Sequence, residues 1–285
     1  MINNATKGIA WFVACIFFSD LSDIIAKYLA QDLHFYQITF SKFIFSILTL
    51  VPFLPYKQTL KTKIVHIHLI RGALLYIATV IWFAGLKFVQ LNTAIAIGFS
   101  VPLFNILLSF YILKESVQAA TLFALITGFA GVIIVVDPQG INAQPAMLIM
   151  LLSSIIYAYL DILNKKFSSS ESALGMIFYS NLFSAALALI PCLLVWQTPS
   201  IKQLVFMFIL GLNESLFLYC ILKAFTLENL SFLAPFYYIE LLTSGLLGYL
   251  IFAETPKATS IVGGSIILLG IIFSAHSRIK KLKTG

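Results

Sequence analysis

The sequence predicts an all-α membrane protein with ten transmembrane helices, on three observations: its composition, the length of its apolar runs and the placement of its basic residues. Of 285 residues, 60% are hydrophobic and only 10% are charged, whereas soluble domains carry about 25% charged residues. A soluble domain would have to expose much of this Phe, Leu and Ile to water, which favours aggregation. The apolar residues are therefore expected to face lipid.

Ten apolar runs, bounded by charged residues or by Gly, Pro and Asn, approach the length needed to cross a bilayer. A helix needs about 20 apolar residues to span the roughly 30 Å hydrocarbon core. The predicted spans are 7–27, 33–54, 68–88, 93–113, 119–136, 145–164, 174–196, 203–223, 230–252 and 258–276. They leave no room for a soluble domain.

The basic residues predict the orientation of these spans. If the N-terminus is cytoplasmic, thirteen Lys and Arg residues fall on the cytoplasmic side, four fall on the outer side, and Lys42 lies inside the membrane. Cytoplasmic loops carry an excess of Lys and Arg. Both termini are therefore predicted to be cytoplasmic, which agrees with an even number of spans.

The chain also predicts an internal duplication, with halves at 1–140 and 141–285. The first span ends in DIIAK and the sixth in DILNK, while the fourth ends at Glu115 and the ninth at Glu254. Five spans per half is an odd number, so the second half would insert in the opposite orientation. Inverted repeats with little chain outside the bilayer are typical of carriers, in which the halves rock about a central site.

Glu240 is the strongest candidate for substrate binding because it follows a predicted break in its helix. Pro235 removes a backbone donor, which is tolerated at this depth only where the chain lines protein or a cavity. With Phe236, Tyr237 and Tyr238 beside it, this carboxylate predicts a cation site. The alternative is a protonated Glu240 that is hydrogen-bonded between helices.

Three other ionisable residues inside the spans are candidates, since a charged group at a helix centre costs about 2.5–3.5 kcal/mol on insertion scales. Glu214 lies near the midplane, flanked by Asn213 and Ser215, and could instead provide a polar contact between helices. Asp20 and Lys42 have no near partner on their own helices. They could pair with each other, or a zwitterionic substrate could separate them.

A second set of residues is assigned a structural or gating role. Acid and base lie four residues apart at the ends of the first and sixth spans, where an ion pair within one helix is expected. Prolines also lie in the fourth and ninth spans. The residues of this set are Asp23, Lys27, Asp161, Lys165, Pro102 and Pro235.

Trp82, Phe99 and Tyr157 lie deeper than the aromatic belts at membrane interfaces. Buried Trp and Tyr need partners for their polar tips, and their rings could form a wall for a planar or cationic solute. Ordinary packing is the alternative for most of them.

The sequence contains no phosphate-binding Gly loop, no His-rich metal spacing and no Ser/His/Asp set at a plausible depth, so neither a catalytic site nor a cofactor or metal is expected. Cys15, Cys192 and Cys220 lie within apolar runs and predict no disulfide framework. The basic residues are dispersed among short loops, which argues against nucleic-acid binding.

The spans SVPLFNILLSFYILKE and APFYYIELLTSGLLGYLIFAE resemble the EamA-like branch of the drug/metabolite transporter superfamily, over nearly the whole chain. Stretches such as WFVACIFFSDLSDIIAKYLAQDLHFYQITFSKFIFS, IRGALLY and YLDILNKKF are similar to the S-adenosylmethionine uptake transporters of intracellular bacteria. This resemblance implies a multi-pass protein of the bacterial inner membrane, monomeric or homodimeric. It also implies import of S-adenosylmethionine, in exchange for S-adenosylhomocysteine.

That substrate carries a sulfonium, an ammonium, a carboxylate and an adenine. Glu240 with Asp20 or Glu214 could bind the cations, Lys42 the carboxylate, and Tyr237, Tyr238 or Phe99 the ring. The sequence departs from the related carriers, which tend to have Arg at the position of Lys42 and a basic residue near Tyr237, and this change would suit a different or less acidic solute. The alternatives are an exporter of amino acids or hydrophobic cations, and a membrane protein without transport activity.

Overall fold

The structure is a computed structural model that describes residues 2–53, 60–88, 97–136, 145–240, 243 and 258–284. Within these ranges every regular element is helical. The elements are α1 (Ile2–Leu29), α2 (Phe35–Leu50), a 3₁₀ turn (Val51–Phe53), α3 (Val65–Phe88), α4 (Val101–Leu108), a π-helical turn (Ser109–Leu113), α5 (Ala119–Val136), α6 (Pro145–Phe167), α7 (Ala173–Leu194), α8 (Ile201–Leu227), α9 (Leu230–Leu233), a 3₁₀ helix (Ala234–Tyr238) and α10 (Ala258–Thr284).

Six of the described helices are long and apolar enough to cross a membrane: α1, α2 with its 3₁₀ turn, α3, α6, α7 and α8. Three shorter apolar stretches lie at Val101–Leu113, Ala119–Gly131 and Val262–Ser274. Large apolar side chains point away from the helix bundle, for example Leu148 at 71% and Ile190 at 69% exposure. The all-α, multi-pass class is confirmed. The number of ten spans and the cytoplasmic termini stay predictions, because parts of the spans at 93–113 and 230–252 lie outside the described residues.

The main helix contacts join segments that are far apart in the sequence. Helix α1 packs on α8, α2 packs on α7 and α8, and α3 packs on α6 and α7. Helix α5 packs on α10, and α4 packs on α6. Polar side chains of α1, α2, α3, α6 and α8 can therefore meet at the centre of the bundle.

Two glycines allow close helix crossings, and their surroundings match. A Cβ on Gly72 of α3 would lie 2.6 Å from Phe183 Cβ and 3.3 Å from the amide nitrogen of Ser184. A Cβ on Gly211 of α8 would lie 2.4 Å from Phe45 Cβ and 2.7 Å from the amide nitrogen of Ser46. Each glycine thus lies against two consecutive residues, a Phe and a Ser, of a neighbouring helix. Small residues allow this close approach between membrane helices.

Replacing Gly211 by alanine is expected to push α8 away from α2, because the added methyl group meets main-chain atoms that cannot turn aside. Overpacking of this kind costs about 1–3 kcal/mol. Thermal unfolding of the purified protein should therefore show a midpoint several degrees below that of the wild type. Gly8→Ala is the matched control, since its nearest neighbour, at 3.1 Å, is the side-chain Cγ of Glu228. Equal midpoints for the two variants would contradict the expectation.

A capping contact connects the end of the fourth predicted span to α9. Lys114 has a left-handed backbone, with φ of 55°, and ends the helical turn as residues in this conformation commonly do. The Glu115 carboxylate then accepts hydrogen bonds from the amides of Leu230, at 3.2 Å, and Ser231, at 2.9 Å. A carboxylate is favourable at a helix N-terminus. Its predicted counterpart Glu254 lies outside the described residues.

Pro102 and Pro235, the two prolines that were assigned a structural or gating role, lie where a missing backbone donor is tolerated. Pro102 is in the first turn of α4, where the backbone N–H has no helical partner in any case. At Pro235 the α-helical chain passes into the 3₁₀ helix Ala234–Tyr238, at the place where the sequence predicts a break. This change of helix type brings Tyr237 and Glu240 to the central cavity described next.

Candidate functional site

A cavity of about 120 Å³ lies between α1, α2, α3, α6, α8, the start of α4 and the 3₁₀ helix. Its wall contains four carboxyl groups, those of Asp23, Asp161, Glu214 and Glu240, and one described basic side chain, that of Lys42. The rest of the wall is largely aromatic and aliphatic. When all five groups are ionised, this set has a formal charge of −3, so the cavity suits a cationic molecule.

Lys42 and Glu214 form a buried ion pair across α2 and α8. Lys42 Nζ lies 2.9 Å from Glu214 Oε2 and 5.3 Å from the centroid of the Phe83 ring. Only 7% of Lys42 and 1% of Glu214 is exposed. Removing one member of a buried pair costs about 3–5 kcal/mol, because the other charge is left uncompensated. The sequence allowed a pair between Lys42 and Asp20, but the structure gives Lys42 a different partner.

Hydroxyl groups hold the same two helices together beside this ion pair. Ser46 Oγ and Ser215 Oγ are 2.7 Å apart, and Thr49 Oγ1 lies 3.0 Å from Ser215 Oγ. The Ser215 hydroxyl also lies 3.1 Å from the Ser46 carbonyl oxygen. Glu214 thus makes the polar contact between helices that was the alternative interpretation of this residue, and Ser215 beside it adds further contacts.

Asp23 is held by an aromatic donor of α3. The indole Nε1 of Trp82 donates to both carboxylate oxygens of Asp23, at 3.1 and 3.2 Å. On the same helix, the Thr79 hydroxyl lies 3.1 Å from the Tyr157 hydroxyl of α6. Trp82 and Tyr157 therefore both line the cavity with their polar tips bound, as buried Trp and Tyr require.

Asp161 of α6 connects two other segments, the 3₁₀ helix and α4. The Tyr237 hydroxyl donates to Asp161 Oδ2 at 2.5 Å, and Asn105 Nδ2 donates to the same oxygen at 3.0 Å. Lys165 donates instead to the carbonyls of Phe225 and Glu228, at 2.6 Å each. The ion pair expected within this helix is therefore not formed. Lys165 stabilises the C-terminus of α8, where cations are favoured.

Glu240 lines the cavity and is partly buried. Asp20 does not line it, and its carboxylate accepts a hydrogen bond from the Thr243 hydroxyl. Phe99 and Tyr238 pack on each other with their ring centroids 5.4 Å apart. Phe236 packs on Phe232, outside the cavity wall.

Lys27 is partly buried near the end of α1, and it does not line the cavity. The structure thus brings together six of the ten predicted substrate residues, and it adds two of the residues that were assigned a structural or gating role. The six are Glu240, Lys42, Glu214, Tyr237, Trp82 and Tyr157, and the two are Asp23 and Asp161.

A buried arginine, Arg71, contacts a residue of the cavity wall and was not among the predicted site residues. Arg71 is 1% exposed and donates from Nε and Nη2 to Asn164 Oδ1, at 3.0 and 2.7 Å. It also donates to the Met176 carbonyl, and its Nη1 lies 3.2 Å from His68 Nδ1. Asn164 lines the cavity. The sequence does indicate Arg71, because this charged residue lies inside the predicted span 68–88. It was instead assigned to the basic residues of the cytoplasmic side.

The wall does not resemble a metal centre. Among the described residues, no group of three or more His, Cys, Asp or Glu side chains is placed to hold a metal ion. Asp23 and Asp161 already accept hydrogen bonds from neutral donors. The arrangement is suited to binding and release of an organic cation.

Comparisons with known proteins identify the class of this molecule. The model of the EamA-like transporter family matches residues 6–137 and again 144–275. The chain is 36% identical to the S-adenosylmethionine uptake transporter of Rickettsia bellii over 287 residues, which cover 99% of each chain. It is 35% identical to the protein of the same name from Rickettsia prowazekii, over 99% of this chain and 98% of that one.

A solved crystal structure has the same fold, with a TM-score of 0.75 and 16% identity over 95% of this chain and 98% of the other. The similar proteins are transport proteins of the drug/metabolite transporter superfamily, and the chain is a transporter, not an enzyme. The chain belongs to the EamA-like transporter family.

Proposed function

We propose that this protein imports S-adenosylmethionine across the bacterial inner membrane, in exchange for S-adenosylhomocysteine. The observation that carries the proposal is the cavity whose described wall contains four carboxyl groups and one lysine. The names of the two Rickettsia relatives support the same solute. Because no nucleotide-binding motif occurs in the sequence, the driving force would come from solute gradients.

The wall offers suitable partners for each part of this solute. Asp23, Asp161 and Glu240 form no salt bridge within the described residues, so they are free to compensate positive charge on the solute, such as that of the sulfonium. Tyr157, Tyr237 and Trp82 present ring faces or edges on which cations and adenine bind favourably. Binding would thus use charge and stacking together.

The small size of the cavity favours alternating access as the mechanism. Small-molecule sites usually measure about 300–1,000 Å³, and this cavity of about 120 Å³ is well below that range. Entry of the substrate would therefore require the helices around it to separate on one side. Closure on the other side would keep the membrane sealed.

Two inverted repeats, 1–140 and 141–285, would supply that motion. The family model matches twice, on 6–137 and on 144–275. If α1 corresponds to α6 and α3 to α8, the contact of α1 with α8 becomes the contact of α3 with α6, and both contacts are present. In the same way, Gly72 of α3 and Gly211 of α8 each lie against a consecutive Phe and Ser of a neighbouring helix. Ten spans would place both termini in the cytoplasm, in a monomer or a homodimer.

The test is uptake of labelled S-adenosylmethionine by cells that express the chain. We expect saturable uptake that unlabelled S-adenosylhomocysteine inhibits. In vesicles preloaded with label, external S-adenosylhomocysteine should speed its release. Cells without the chain are the control. No uptake in cells that show the protein in the membrane would contradict the proposal, and resistance of those cells to toxic cations would favour export.

A further inference from the structure

We propose that the Lys42–Glu214 ion pair is the subsite for the α-amino-acid end of the substrate. Lys42 binds the carboxylate, and Glu214 binds the ammonium group. The inference rests on the proposed function and assigns one part of the solute to one pair of residues. It predicts that the transporter selects solutes which carry both charges.

The first support is the unfinished hydrogen bonding of Glu214. Its Oε2 atom lies 2.9 Å from Lys42 Nζ, but its Oε1 atom is buried and has no hydrogen-bond partner within the described residues. Glu214 lines the cavity and is 1% exposed. Buried polar atoms are normally hydrogen-bonded, so a purely structural ion pair would leave no such oxygen at the cavity.

The second support is the chemistry of the other charged groups. Among the described residues of the wall, Lys42 is the one basic side chain, so a carboxylate on the solute has one cationic partner there. Arg71 does not line the cavity, and its guanidinium donates to Asn164 and Met176. Asp23, Asp161 and Glu240 line the same cavity and remain for the sulfonium.

The third support is that a zwitterion can enter this pair without leaving a charge uncompensated. An ammonium and a carboxylate held on one solute carbon can replace each member of the protein pair by an equivalent charge. The hydroxyl contacts of Ser46 and Thr49 with Ser215 hold α2 to α8 independently of the ion pair. Lys42 and Glu214 can therefore separate while the two helices stay packed.

The experiment compares three ligands that share the adenosine and differ at the other end. The ligands are S-adenosylmethionine, its decarboxylated analogue, which keeps the amine and the sulfonium, and 5′-methylthioadenosine, a neutral thioether that lacks both the amino-acid end and the sulfonium charge. Binding to the purified protein is measured for the wild type and for the double variant Lys42→Met with Glu214→Gln. The double variant removes both charges together, so no single buried charge is left behind.

In the wild type, we expect S-adenosylmethionine to bind about ten- to a hundredfold more tightly than the decarboxylated analogue, because the charged contact to Lys42 is lost in the latter. In the double variant this ratio should fall to about one, since neither partner of the head group remains. Binding of 5′-methylthioadenosine should be the same in both proteins, which also shows that the variant is folded.

The outcomes separate the two proposals. A wild type that binds none of the three ligands would overturn the proposed function, and this inference with it. A wild type that binds S-adenosylmethionine, with a ratio that the double variant leaves unchanged, would overturn the inference alone. A double variant that binds none of the three ligands, yet keeps the wild-type thermal unfolding midpoint, would also overturn the inference. The ion pair would then be needed for binding in the whole cavity and not for the amino-acid end alone.

Discussion

Replacing Glu240 by glutamine is expected to abolish uptake of S-adenosylmethionine while the protein still reaches the membrane. The substitution keeps the shape of the side chain and removes its charge. Loss of one partner in a buried charged contact costs about 2–5 kcal/mol, which corresponds to at least about a thirtyfold loss of affinity. The measurement is the initial rate of uptake in cells, normalised to the amount of protein in the membrane.

Asp32→Asn provides a matched control for this variant. It also converts a carboxylate to an amide, but Asp32 lies in the exposed connection between α1 and α2, where it accepts a hydrogen bond from Gln203 at 3.0 Å. Its uptake should stay near that of the wild type. Normal uptake in Glu240→Gln would remove Glu240 from the substrate site and would leave Asp23 and Asp161 as the cation partners.

Replacing Arg71 by methionine should give the second large effect, on stability. The change removes four donated contacts and leaves the Asn164 and Met176 oxygens without these donors inside the bundle. Each buried polar group left unsatisfied costs about 1–3 kcal/mol, so for these two oxygens a loss of about 2–6 kcal/mol is expected in the free energy of unfolding. The readout is thermal unfolding of the purified protein.

Lys63→Met is the control for Arg71→Met, because it also exchanges a basic side chain for methionine but at an exposed position before α3. Its unfolding midpoint should match that of the wild type. Arg71→Lys should recover only part of the loss, since an ammonium lacks the planar fork with which Nε and Nη2 both donate to Asn164 Oδ1. Equal midpoints for Arg71→Met and Lys63→Met would show that the Arg71 contacts contribute nothing measurable.

The helices could be predicted because their signal is local. Apolar length and charged or Gly/Pro boundaries place α1, α3, α6 and α8 within a few residues of their observed ends. The break at Pro235 was also predictable, since proline cannot donate the helical hydrogen bond. No knowledge of tertiary contacts is needed for either prediction.

The partners of the charged residues could not be predicted, because they lie on distant helices. Nothing in the sequence around Lys42 indicates that it meets Glu214 and not Asp20. The choice depends on how α2 crosses α8, and that crossing is set by Gly211 against Phe45. Neutral donors such as Trp82 for Asp23 were missed for the same reason.

Adjacent aromatic residues also proved hard to distinguish from sequence. Tyr237 lines the cavity, whereas its neighbour Tyr238 is fully buried against Phe99. Successive residues of a helix point in different directions, and the change from α-helix to 3₁₀ helix alters the rotation per residue. Residue type alone therefore predicted both tyrosines as substrate-binding residues, whereas of the two Tyr237 lines the cavity.

The long sequence separation of packed helices has a consequence for biosynthesis. Helix α1 ends at Leu29 and its main partner α8 begins at Ile201, and the Ser46–Ser215 contact joins residues 169 positions apart. At about 5–20 residues per second of translation, the early helices wait roughly 8–34 s for these partners. During that interval α2 would lie in the bilayer with Lys42 but without Glu214. The membrane must therefore accept the charge of Lys42 before α8 arrives to compensate that charge.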